Sequence, residues 1–249
     1  MNEYINLTKD NIDEEHICCA IGDPKHQCGV DKKKEWIKNK LKEGHVFRKL
    51  DVTGKIFIEY EPIETAWVQI NGKNYEYIYC LWVAGSFKSK GIAKELIEYA
   101  INDSKEKGMS GICTLSSKKK KPFIGEKKFF EYFGFKVVDE VGEYELLALQ
   151  FDGKESPKFN DSVRNIEIES KDFTIYYSPE CPYVEHQVEE LTEYSKKNNI
   201  KININKVDTL DKAKNVPCIF NNWANFYKGK FVSNTILNGK SLEKIISNK

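Results

Sequence analysis

Apolar positions along the chain switch repeatedly between alternation and a spacing of three and four. That switching predicts interleaved strands and helices. The strongest unit spans residues 77–101. Its first part, YIYCLWVAG, is rich in aromatic and β-branched residues and lacks proline, so it predicts a strand buried on at least one face. Further on, Ile92, Ala93, Leu96, Ile97, Ala100 and Ile101 fall on one helical face, with Lys94, Glu95 and Glu98 on the other. A short turn carrying Lys88, Lys90 and Gly91 joins the two.

Upstream, the pattern predicts a strand over 3–8 and a helix over 10–20 capped by Asp10. A second helix over 31–43 has Trp36, Ile37 and Leu41 as its stripe and Gly44 as its stop. Strands over 45–50 and 55–61 form a hairpin, and a short strand over 67–70 leads through Asn71-Gly72 into the central strand. Downstream come a strand over 111–115, a short helix over 126–132 closed by Gly134, and two strands within 136–151 around Gly142. Residues 153–164, with Ser156, Pro157, Asn160 and Asp161, predict a linker. The pattern then restarts. A strand over 173–177 precedes a helix opened by Cys181-Pro182 and carrying Val184, Val188, Leu191 and Tyr194. Strands over 201–207, 218–220 and 226–231 and a helix from Ser241 follow. This is an α/β (α+β) chain of two domains, 1–153 and 165–249.

The 39 basic and 38 acidic residues leave a net charge of +1, which gives no reason to expect nucleic-acid binding by the whole chain. No apolar run reaches the length of a membrane span and the start has no signal-peptide core, so a cytoplasmic protein with no membrane partner is expected. Seven cysteines, an odd number without secretory context, argue for reduced thiols rather than a disulfide framework. Two His-x-Cys units, His16 with Cys18 and His26 with Cys28, have zinc-ligand chemistry, but their spacing matches no common finger. No metal is expected. The run Lys118 to Lys121 reads as a solvated loop before it reads as a phosphate site.

The strand–turn–helix at 77–101 carries the chemistry. Backbone amides at a helix start are unpaired and the dipole is positive there, which suits a phosphate. Gly91 and Ala93 leave room for a close approach. Lys88-Ser89-Lys90-Gly91-Ile92-Ala93 resembles the coenzyme A signature of the GNAT N-acetyltransferases, with Lys88 where Arg or Gln is usual. The resemblance implies acetyl-CoA as cosubstrate. Its pantetheine arm would pair with Leu81, Trp82 and Val83, and its pyrophosphate would rest on the turn from Lys88 through Ser89, Lys90, Gly91 and Ile92 to Ala93.

Residues 129–135, FFEYFGF, resemble the second GNAT signature, in which a tyrosine protonates the leaving thiolate. Here that position is Phe130, and Tyr132 lies about 200° round the helix from it. The usual general acid is therefore absent. Glu59 and Glu76, on strands leading to the cleft, are the candidate bases, and Cys80 either lines the acceptor pocket or belongs to the core.

Strand, Cys181-Pro182-Tyr183 helix, strand, and Val216-Pro217 before a hairpin resemble the thioredoxin/glutaredoxin fold, which implies a cis Val216–Pro217 bond. Val184 stands where glutaredoxins have their second cysteine, so no dithiol cycle can run inside the motif. Cys181 is either a helix-start thiolate with a modestly lowered pKa or merely a cap, and Cys218 is a candidate partner. The two domains in this order resemble the YoaP-type acetyltransferases. That implies acetyl transfer, without naming an acceptor; direct attack by a small amine or peptide amine on the thioester is the expected mechanism. The alternative is a redox-responsive CoA-binding protein with a degenerate GNAT domain and a monothiol second domain.

Overall fold

The computed structural model describes the chain except residues 1, 18, 19, 122, 123, 221, 248 and 249. In chain order, its elements begin β1 (Tyr4–Asn6), α1 (Gln27–Lys40), β2 (Val46–Leu50), β3 (Ile56–Pro62), β4 (Ile70–Asn71), β5 (Tyr75–Val83) and α2 (Ile92–Glu106). Then come β6 (Gly111–Ser117), α3 (Lys127–Tyr132), β7 (Lys136–Val141), β8 (Tyr144–Gln150) and β9 (Lys158–Phe159). The last are β10 (Phe173–Tyr177), α4 (Val184–Lys197), β11 (Ile202–Lys206), α5 (Leu210–Asn215), β12 (Trp223–Tyr227), β13 (Lys230–Ser233) and α6 (Gly239–Ser247).

The chain divides into two units. The first comprises Met1–Ile21, Ile37–Ala66 and Ile70–Phe159. Its seven-stranded sheet has the order β1-β2-β3-β5-β6-β8-β7, antiparallel except for the β5–β6 pair. A parallel neighbour requires a crossover, which α2 supplies. One face of α2 buries Ile92, Leu96, Ile97 and Ala100 with Ile58, Tyr60, Ile78, Ile112, Phe130 and Leu147. Full burial of each large aliphatic chain contributes roughly 1.5–3 kcal/mol, so this packing, more than helix propensity, fixes α2 on the sheet.

The second unit comprises Gly22–Trp36, Trp67–Gln69 and Asn160–Lys249. Its sheet has the order β11-β10-β12-β13, with β10 and β11 parallel and the other pairs antiparallel. Phe173, Ile175, Val188, Leu191, Trp223 and Leu242 form one cluster of its core, and Val216, Cys218, Phe220, Ala224 and Phe226 another. Gln69 binds its segment into this unit. Its Nε2 donates to the Ala213 carbonyl (2.7 Å), its Oε1 accepts from Phe220 N (2.8 Å), and its carbonyl accepts from Asn160 N (2.9 Å). The strand expected over 67–70 therefore survives only as Ile70–Asn71, paired with Lys158–Phe159.

Other expectations differ locally. Residues 10–17 form turns instead of a helix, because Thr8 and Asn11 use their side chains on nearby backbone amides. Residues 218–220 are not a strand. Side chains have taken their backbone groups, with Asn234 Nδ2 on the Ile219 carbonyl and Gln69 on Phe220 N. The Val216–Pro217 bond is trans, the ordinary isomer, where the resemblance implied cis. Cys181 does not open the helix. The sequence Ser178 to Tyr183 winds first through a turn, with Glu180 N donating to Ser178 Oγ, and α4 begins at Val184.

Candidate functional site

β5 is nine residues long and pairs with β3 from Pro62↔Glu76 to Ile56↔Val83. Its pairing with β6 is shorter, running from Tyr75↔Gly111 only to Ile78↔Thr114. Between these registers the β3–β5 ladder shifts, since Tyr60 faces Ile78 but Glu59 faces Cys80, leaving Tyr79 as the extra residue of a bulge. A bulge bends its strand and increases its twist. β5 thus turns from β6 at the bulge and continues to Val83, so the two parallel strands diverge over five residues, roughly 16 Å of backbone. Leu81 and Val83 pack on the core, while Trp82 is 39% exposed.

A turn follows at once. A 3-10 segment, Gly85–Phe87, leads to Lys88, then to Ser89 at φ +62° and Gly91 at φ +81°. Gly91 is the N-cap of α2, with no side-chain cap on the helix amides. A Cβ built at Gly91 meets nothing within 4 Å, so the space above these amides is open. Lys88, Ser89 and Lys90 are exposed, and Lys90 Nζ lies 5.5 Å from the Phe87 ring centre. Ile92 sends its side chain into the core and Ala93 is half-buried, so both present backbone to this space. The nine residues singled out from the sequence, 81–83 and 88–93, therefore lie along one continuous strand–turn–helix.

The two candidate bases occupy different environments. Glu76 is fully buried near the start of β5, inside the segment still paired with β6. One of its oxygens lies 3.2 Å from Lys107 Nζ, and burial, outweighing that lysine, pushes its carboxyl up to about 7. Glu59 stands directly opposite Cys80, where β5 and β6 have parted. It is buried, and its Oε1 lies 3.2 Å from His45 Nε2. The same imidazole donates from Nδ1 to Glu61 Oε2 (3.3 Å), and Glu61 also meets Lys40 Nζ (3.2 Å) and accepts from the Tyr79 hydroxyl. Burial works against the charged ring at His45, but the carboxylates on both sides outweigh it and raise its pKa.

Sequence reasoning missed His45, Glu61, Lys40 and Tyr79. They form no motif. The one available signal was the pair Glu59 and Glu61, two apart in an otherwise apolar strand and hence on one sheet face.

Phe130 is buried in the core, and Tyr132 is 77% exposed. Phe130 carries no hydroxyl. In the second unit Cys181 is half-buried, Cys28 is exposed, and burial pushes the Cys218 thiol far up, which makes Cys218 an inert partner. Among the described residues, no group of three or more His, Cys, Asp or Glu is placed to hold a metal ion, and Cys18 lies outside them. The lysine run meets acids of the β7–β8 hairpin: Lys119 and Lys121 pair with Glu143 at 2.9 and 3.0 Å, and Lys118 pairs with Glu140.

The first unit thus places a divergent parallel strand pair ahead of a glycine-capped helix within a mixed sheet, and sequence comparison gives it a family. The description Acetyltransferase (GNAT) family matches residues 10–135, and the description YoaP-like matches residues 201–244. The chain belongs to the GNAT acetyltransferase family. It is 39% identical over 246 residues, 98% of each chain, to the uncharacterized N-acetyltransferase YoaP of Bacillus subtilis (strain 168). Among solved structures it is similar to a GNAT family acetyltransferase from Brucella melitensis in complex with acetyl-CoA. That match has 15% identity and a TM-score of 0.42, and covers 64% of this chain and 94% of that one. A second is the PaiA N-acetyltransferase of Thermoplasma acidophilum in complex with coenzyme A, with 17% identity and a TM-score of 0.41, covering 61% and 99%. No helix among the described residues is long and apolar enough to cross a membrane.

Proposed function

We propose that the protein transfers the acetyl group of acetyl-CoA directly to an amine. The observation that carries this is the parting of β5 from β6 after Ile78↔Thr114, immediately upstream of the open, glycine-capped start of α2. The pantetheine arm would add to the edge of β5 at Leu81 to Val83 as an extra strand does, and the pyrophosphate would rest on the amides of Lys88 to Ala93. The thioester carbonyl then falls beside the bulge, where backbone amides polarise it.

Glu59 is the better base. It faces Cys80 at the divergence, while Glu76 sits within the closed ladder beside the C-terminal end of α2, engaged by Lys107. An acceptor ammonium gives its proton to the Glu59 carboxylate, and the free amine attacks the carbonyl. With Phe130 in the core, the leaving thiolate takes its proton from the attacking nitrogen or from water. The second unit reads as thioredoxin-like. That reading draws support from its strand order, with β10 parallel to β11 and β12–β13 as an antiparallel hairpin beside them.

Incubation with acetyl-CoA and a panel of small amines and peptides, scored for free CoA, tests the transfer. Amine-dependent CoA release that collapses at least a hundredfold in Glu59→Gln supports it. Tight CoA binding with no turnover on any amine favours a binding protein instead.

A further inference from the structure

We propose that His45, wedged between Glu59 and Glu61, is a positioning residue that keeps the Glu59 carboxylate ionised and fixed opposite Cys80. This rests on the reading of Glu59 as the base.

The argument begins with strand periodicity. Glu59 and Glu61 are two apart on β3, so both leave the sheet on one face, while Tyr60 between them enters the core shared with α2. Glu59 is 2% exposed and Glu61 is not exposed at all. A carboxyl at such depth holds its proton unless a cation lies beside it, and a protonated carboxyl cannot act as a base. Among the described residues, Lys40 and His45 stand beside these acids. Lys40 Nζ reaches Glu61 Oε2 at 3.2 Å and also pairs with Glu43 and donates to the Thr65 carbonyl (2.6 Å). Tyr79 donates its hydroxyl to the other oxygen of Glu61. Glu61 thus has Lys40 and Tyr79 besides His45, while the Nε2 side of the imidazole faces Glu59.

The geometry of the ring agrees. Nδ1 makes a hydrogen bond of 3.3 Å with Glu61 Oε2, and Nε2 stands at ion-pair distance, 3.2 Å, from Glu59 Oε1. A neutral imidazole has one N–H, so one carboxylate would face a bare nitrogen lone pair; the imidazolium has a proton for each. The two carboxylates raise the ring's pKa despite its burial, in keeping with that state. In catalysis the acceptor ammonium passes one proton to the Glu59 carboxylate, leaving a neutral amine and a carboxylic acid. His45 is given no step of its own and acts through Glu59.

His45→Gln keeps a donor of similar reach but removes the charge. The expected result is an acid limb of kcat shifted upward by about one pH unit or more, with KM for acetyl-CoA changed less than about twofold. A role confined to packing would lower kcat alike at every pH. The second measurement is the 15N titration of the His45 ring in the wild-type protein and in Glu59→Gln. A doubly protonated ring at neutral pH, with a midpoint falling by about one unit in Glu59→Gln, supports the assignment. A ring neutral at that pH, a midpoint unmoved by Glu59→Gln, or an unshifted acid limb in folded His45→Gln overturns it. If His45→Gln does not fold, the two titrations decide. Wild-type turnover by Glu59→Gln would mean that the reading of Glu59 as base fails. Loss of turnover there with an unshifted limb in His45→Gln would remove only the role given to His45.

Discussion

Thr114 faces Ile78 as the last pair between β5 and β6, and its buried hydroxyl donates to the Ile78 carbonyl at 3.1 Å. A side chain has taken the acceptor at the end of this parallel ladder. β6 continues instead along β8 as far as Ser117↔Tyr144, and β5 continues along β3 to Val83. The strands part because each keeps its outer neighbour while the bulge at Tyr79 swings β5 away. Register and one side-chain hydroxyl together end the β5–β6 ladder at Ile78.

The turn beyond that edge should be sensitive at Gly91. Its φ of +81° costs an L-residue about 1–2 kcal/mol in backbone strain, and the open space above it is where a phosphate would lie. Gly91→Val should remain folded with a modestly lower Tm, yet bind CoA at least tenfold more weakly by calorimetry. Unchanged affinity would remove the pyrophosphate from this turn.

Two aromatic substitutions test the absence of the usual acid. Tyr132→Phe should leave kcat within about threefold of wild type, because its ring is exposed on the outer side of α3. Phe130→Tyr would place a hydroxyl in the core, where an unmatched polar group costs roughly 1–3 kcal/mol. It should lower Tm without raising kcat. A hundredfold loss in Tyr132→Phe would mean that Tyr132 reaches the thiolate after all.

The central unit was legible because its evidence is local. A strand pattern, a glycine and an amphipathic stripe lie within residues 77–101 and recur as β5, the turn and α2. The cluster at His45 was not. Its members come from α1, β3, β5 and the residue before β2, and only pairing register brings 59, 61 and 79 to one face. The same limit explains residues 10–17 and 218–220. Both carry plausible local patterns, and both are overridden by side chains that bind backbone: Thr8 and Asn11 close by, Gln69 and Asn234 from afar. The segment 67–69 belongs to the second unit through Trp67, packed on the Val216–Phe226 cluster, and through buried Gln69, whose amide bonds no hydropathy pattern announces.

Glu76 should leave a pH signature in stability. Its pKa rises from 4.5 to about 7, so across that window the native state holds a proton that the unfolded chain has lost. Stability therefore falls as pH rises through the window, and the full penalty stands above it. Glu76→Gln removes the dependence. Relative to wild type, the variant should gain stability between about pH 4.5 and 8 by on the order of 3 kcal/mol, measured by urea denaturation across the series. A constant difference between the two proteins would mean that Glu76 is ionised in the native state throughout.

The last prediction concerns the thiols of the second unit. α4 begins at Val184, three residues past Cys181, so the stabilisation that a helix start gives a thiolate reaches Cys181 weakly. Glu180, adjacent and buried, opposes it further. Exposure then governs the rates. Cys28, exposed on the first turn of α1, and half-buried Cys181 should take up iodoacetamide in a brief pulse, while Cys218, buried and with its thiol pKa pushed up, should not. Mass spectrometry across a pH series reads all three. If Cys181 labels faster than Cys28 near neutral pH, with a midpoint below the free-thiol value of about 8.5, its thiolate is stabilised and the unit has redox chemistry. If Cys28 leads and Cys181→Ser leaves acetyl transfer unchanged, the second unit serves binding rather than thiol exchange.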